Sequence, residues 1–269
     1  MKTEYAGRQF AAMGARLQIA ELPVSRWQSS SYSIDIQRDR RGEFFQLRVA
    51  RDLFASLDLT VLQSNSRDRH LLMLVRNDRD PDQRDRYLCG HDERAWFVAA
   101  VPKRVSTIYD AKEALKPPLV LHAQNHSGIS REDRNLRRNS VFHRQGEWFF
   151  VPARELIART KDILPNEPIR RPSGKAHVVQ ELYRTGGRVV YVSSTHPNGI
   201  TEAQYRKLIQ SQSHKAGLNW RAMRADARVY ARGTVRHPDH QTITLPFWHR
   251  VLMNTEHESP WMPRVAFLD

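Results

Sequence analysis

The stretch AHVVQELYRTGG, residues 176–187, decides how the second half of this 269-residue chain is read. Val178, Val179, Leu182 and Tyr183 recur at helical spacing, and Gly186–Gly187 supplies a stop. A helix there sets the element order of the carboxy-terminal half. Arg188–Ser193 alternates around Val190 and Val192 as a short strand, and Pro197–Asn198–Gly199 is a turn. Thr201 caps a helix over 202–210, with Gln204 at the capping-box position. Asn219 opens a third, short helix to about Ala225. Arg228–His237 and Thr242–Asn254 read as strands joined across Pro238–Asp239–His240–Gln241, where proline followed by aspartate suits a type I turn.

The resulting order over 176–254 is helix, strand, helix, helix, hairpin, and it resembles that of winged-helix domains. The resemblance implies that the third helix enters a DNA major groove with Arg221 and Arg224 on one face. It also implies that Arg232, Arg236 and His237 line the wing and reach phosphates.

Upstream, Ile163–Lys175 holds three prolines, a glycine and the pair Arg170–Arg171, and reads as a linker between domains at 1–162 and 176–269. In the first domain, Tyr32–Ile36 with Glu43–Val49, Leu57–Leu62 with His70–Val75, and Tyr87–Cys89 with Ala95–Val101 read as three hairpins. Arg76–Arg86 reads as a charged loop. Ser106 caps a helix that Pro117 and Pro118 end, and the aperiodic stretch 124–144 carries Arg137 and Arg138. The fold class expected is α+β: a predominantly antiparallel β amino-terminal half with covering helices, and a winged-helix-like carboxy-terminal half.

Charge gives the leading function. Forty-three Lys+Arg oppose 29 Asp+Glu, for a net +14. Only eight of the 43 are lysines, and guanidinium suits bidentate phosphate contact. Nucleic-acid binding is therefore expected, DNA or RNA, through Arg137, Arg138, Arg170, Arg171, Arg221, Arg224, Arg232 and Arg236. An assembly protein meeting an acidic protein partner is an alternative.

A second alternative is a metal-dependent hydrolase or nuclease. His237, Asp239, His240 and His249 offer imidazole and carboxylate ligands around one hairpin. His177 and Glu181, four apart, could complete the set from across the domain. A divalent metal is the one cofactor this admits. Gly186–Gly187 precedes a strand rather than a helix, and Gly174–Lys175 lacks an upstream glycine, so no nucleotide loop is implied. Cys89 and His91 lie two apart in a strand, a spacing that admits an activated thiol. Cys89 is the only cysteine, which excludes an internal disulfide and fits a reducing, cytoplasmic setting with no disulfide-linked partner. Apolar runs such as Trp96–Val101 are too short to span a bilayer, and Met1–Phe10 does not read as a signal peptide.

Overall fold

A computed structural model describes residues 3–22, 32–170 and 175–258. The chain divides into two compact units, Met1–Leu121 with Ser130–Asn135, and His122–Ile129 with Leu136–Asp269. Both are built mainly from antiparallel strands, with four α-helices among the described residues.

The first unit opens with α1 (Thr3–Ala12) and β1 (Leu17–Glu21), which lies parallel to β3 (Gly42–Val49); β2 (Tyr32–Asp39) closes a hairpin on β3. A four-stranded meander comes next: β4 (Leu57–Asn65), β5 (His70–Asn77), β6 (Asp80–Asp92) and β7 (Ala95–Val101). The three expected hairpins are present. The charged loop is not: most of Arg76–Arg86 belongs to β6, with Val75 facing Asp85 and Leu74 facing Arg86. Ladder hydrogen bonds are made by the backbone, so buried neighbours in β5 hold a strand whose own side chains are polar. Phe10, Phe45, Leu47, Leu71, Met73 and Cys89 meet in one core. Cys89 is fully buried, and burial pushes its thiol well above the ordinary range, which removes it as a nucleophile. Thr107 caps α2 (Ile108–Ala114), and Pro118 begins α3 (Pro118–His126), the first-turn position proline tolerates.

The second unit contains a six-stranded antiparallel sheet. It comprises β8 (His143–Gln145), β9 (Trp148–Pro152), β10 (Ile163–Ile169), β11 (His177–Thr185), β15 (Arg228–Arg236) and β16 (Ile243–Met253). Their order is β10-β11-β15-β16-β9-β8. Between β11 and β15 the chain forms β12 (Arg188–Ser193), β13 (His196–Thr201), α4 (Glu202–Ser211) and β14 (Arg221–Ala225), with β12 central in a three-stranded sheet.

This overturns the α+β, winged-helix-like expectation: two of its three helices are strands. Residues 177–185 form β11, and a bulge explains the misreading. The register slips between Val179 and Glu181, so His177 and Val179 face inward before the slip and Leu182 after it. One extra residue inserted into a period of two imitates a helical spacing. Residues 221–225 are the edge strand β14 paired with β12, so Arg221 and Arg224, three apart, point to opposite faces. The expected linker contains β10, whose Pro165 and Pro168 are tolerated because it is a sheet-edge strand.

A second slip, between Ala231 and Gly233, adds local twist. The sheet coils enough for Trp148 and Phe150 of β9 to share a core with Ile169, Val179, Leu182 and Val235. Coiling also carries the β8–β9 turn to the far ends of β11 and β15. There, Gln145 Nε2 donates to the carbonyls of Val235, at 3.2 Å, and Gln241, at 2.6 Å.

Candidate metal centre

Three histidines close that end of the core. His177 is the first residue of β11 and shares the inward face of Val179. Val178 faces Arg236 across the ladder, so His177 lies opposite His237, which continues the inward row of Val235. His240 comes from the turn after β15. The three rings are nearly parallel, with centroids 4.1 Å apart for His177–His237, 4.6 Å for His237–His240 and 5.6 Å for His177–His240. One nitrogen from each lies within 4.8 Å of the others.

His177 is the anomaly in this cluster. It is 1% exposed, and neither ring nitrogen has a hydrogen-bond partner. Buried polar atoms are nearly always paired, and an orphaned imidazole marks a place for something else. Burial, reinforced by His237 and His240, pushes its pKa down to about 3. His237 is lowered too, by burial and His240 against the opposing Asp239 carboxylate. Both rings are therefore neutral at pH 7, the protonation state in which imidazole ligates a metal.

Asp239 supports the cluster from its rim. Its two carboxylate oxygens accept from Lys175 Nζ at 2.8 and 2.7 Å, and its N–H donates to His237 Nδ1 at 3.1 Å. Burial raises its pKa, but Lys175 and the two histidines outweigh that and leave it below the ordinary range. Gln145, 1% exposed, pins the turn that carries His240. Gly146 faces the rings at φ +58°; a Cβ there would lie 2.7 Å from His240 Nε2 and 3.4 Å from His177 Nε2. Only a residue without a Cβ lets the His240 and His177 rings pack this closely against the β8–β9 turn.

Of the residues expected as ligands, the structure unites His237 and His240 with His177, which the sequence offered to complete the set, and keeps Asp239 beside them. His249 is elsewhere, on β16, with Nδ1 donating to the Phe247 carbonyl at 2.7 Å and its ring stacked on Phe247. Glu181 is paired with Arg232 rather than directed at the cluster. Gly146, Gln145 and Lys175 were not expected. The expected phosphate contacts do not form one helix face. Arg221 is exposed on β14, and Arg224 donates to the Gly186 carbonyl at 3.0 Å. Arg232 is held by Glu181 and lies over the Trp248 ring, while Arg236 donates to Asn166 Oδ1 at 3.3 Å. Arg138 and Arg170 are exposed, Arg137 is half-buried, and Arg171 lies outside the described residues.

Comparison with protein-family models, with curated proteins and with solved structures gave no match. Among the described residues no helix is long and apolar enough to cross a membrane.

Proposed function

We propose that this protein binds one divalent transition-metal ion through His177, His237 and His240 and uses it for hydrolysis. The observation that carries the reading is the buried, unpartnered His177 ring facing two further imidazoles. Imidazole suits zinc-class ions, and a three-histidine set leaves a fourth position for water or substrate, as catalytic rather than closed structural sites do. An ion held this way polarises a bound oxygen and lowers the pKa of bound water.

The fit requires a small contraction. Zn–N bonds of 2.0–2.1 Å imply tetrahedral N–N edges of about 3.3 Å, against separations of up to 4.8 Å here. His237 and His240 flank a turn and can close on His177, which the sheet holds. Asp239 N–H occupies the His237 Nδ1 lone pair, so uptake through His237 either displaces that N–H or shifts the ring proton. The test is metal content: chelator-stripped protein, dialysed against excess zinc and then buffer, should retain one equivalent, and His177→Ala should retain none. Equal retention by both proteins would refute the site.

Polyanion binding stands as a second reading, favoured by the exposed Arg138, Arg170 and Arg221, which have no carboxylate partner among the described residues. With the +14 net charge, they support salt-dependent retention of DNA or RNA. Titration against duplex DNA, single-stranded DNA and RNA at two salt concentrations tests it. Indifference to all three, with an acidic protein bound instead, would favour the assembly role. The single buried thiol, Cys89, supports a reducing compartment such as the cytoplasm.

A further inference from the structure

We propose that Arg138, His143 and Arg154 form an oxyanion site that takes one phosphate group, with Phe247 and His249 holding the set in place. None of these residues is a metal ligand, so the site stands apart from the metal reading, and it gives the polyanion reading a defined contact. Sheet pairing gathers the set. Arg138 lies opposite His143 in an isolated antiparallel bridge, which puts both side chains on one face. His143 pairs with Phe150 and Phe150 with Val251, so that face continues onto β16. There the His249 ring centroid lies 5.7 Å from that of His143. His249 in turn stacks on Phe247, with centroids 4.6 Å apart, and the Arg154 guanidinium carbon lies 3.9 Å from the centre of the Phe247 ring. The row runs Arg154, Phe247, His249, His143, Arg138, with a guanidinium at each end.

This row combines uncompensated positive charge with unused donors. Arg138 and Arg154 are both exposed, and neither side chain makes a hydrogen bond or an ion pair among the described residues. The cation–π contact of Arg154 with Phe247 uses none of the guanidinium's N–H fork on an acceptor. Burial lowers the pKa of His143, with Arg138 and His249 adding to it. Burial also lowers that of His249, where the Phe247 carbonyl pulls the other way and Arg154 adds to the lowering. No carboxylate of the described residues acts on either ring, although Glu155 follows Arg154 in the chain. Like charges gathered without a counter-charge repel one another, and an anion bound among them removes that repulsion while meeting donors that lack acceptors. Two guanidinium forks and an imidazole, offered from three segments, suit a tetrahedral oxyanion whose several oxygens each take a donor; a carboxylate has only two.

The test follows the histidine ring signals of the full chain by NMR, with chelator present so that no metal ion takes up phosphate; His143→Asn and His249→Asn assign the two rings. Inorganic phosphate should shift the His143 signal saturably and raise that ring's pKa back toward the ordinary histidine range. Acetate at equal ionic strength should do neither. Arg138→Gln and Arg154→Gln should each raise the half-saturating phosphate concentration roughly tenfold, with the other histidine signals unchanged as the check on the fold. Saturation by the thymidine dinucleotide TpT as well assigns the phosphate to a nucleic-acid strand and supports the polyanion reading. Saturation by inorganic phosphate but not by TpT supports the site and assigns it a free phosphate or phosphomonoester. An equal response to acetate overturns the choice of phosphate. A His143 signal indifferent to phosphate, or equal affinity in wild type and both arginine variants, overturns the site whatever the chain does with DNA or RNA.

Discussion

Acidifying the metal-free protein from pH 7 to pH 5 should destabilise it by about 2 kcal/mol through His177 alone. In the folded chain this ring titrates at about 3, while an exposed histidine titrates near 6.5. Between those values the unfolded chain binds a proton that the folded chain refuses. The contribution is therefore fully present above pH 6.5 and lost as pH falls toward 3. At 1.36 kcal/mol per unit, about 1.5 units below 6.5 give about 2 kcal/mol. His237, lowered in the same direction, adds to the loss. The assay is urea unfolding with chelator present at both pH values, followed by tryptophan fluorescence, since the Trp148 ring lies edge-on to His177. His177→Leu removes the titrating ring while keeping an apolar side chain in the core. Wild type should lose about 2 kcal/mol more than this variant over the interval. An equal loss in both would refute the claim that His177 is buried as a neutral, unpartnered base.

Three further outcomes follow from the same geometry. Gly146→Ala meets both a left-handed backbone and the His240 ring, so it should cost roughly 1–2 kcal/mol of stability and weaken zinc binding, read by calorimetry; unchanged affinity would detach Gly146 from the site. Gln145→Met deprives two carbonyls of their donor and should cost about 1–3 kcal/mol while also loosening zinc, because the turn bearing His240 loses its tether. Thr201→Ala removes the cap of α4 and should cost about 1 kcal/mol with zinc affinity unaltered; a loss of zinc there would show that α4 and the metal site are coupled.

Local sequence was enough wherever local physics decided the outcome. The β2–β3, β4–β5, β6–β7 and β15–β16 hairpins are apolar-rich runs on either side of polar turns, and the Thr201–Gln204 capping box marks α4. The errors share one cause, an element whose side chains disagree with the backbone partner it finds. β11 hides its period of two behind a bulge, β10 carries prolines that only an edge position tolerates, and β6 is charged but pinned between β5 and β7. At the site, His237 and His240 were visible because only two residues separate them in one turn. His177 was noticed on the wrong kind of element, and its role depends on strand register. Gln145 lies 90 residues from the Val235 carbonyl it binds, a contact created by sheet coiling that no nearby residue encodes.

The most direct measurement is anomalous diffraction at the zinc edge from crystals of the zinc-loaded chain. The account predicts one strong peak about 2.0–2.1 Å from a nitrogen of each of His177, His237 and His240. A silent site in zinc-soaked crystals, or a peak only at the exposed His122–His126 pair on α3, would contradict it.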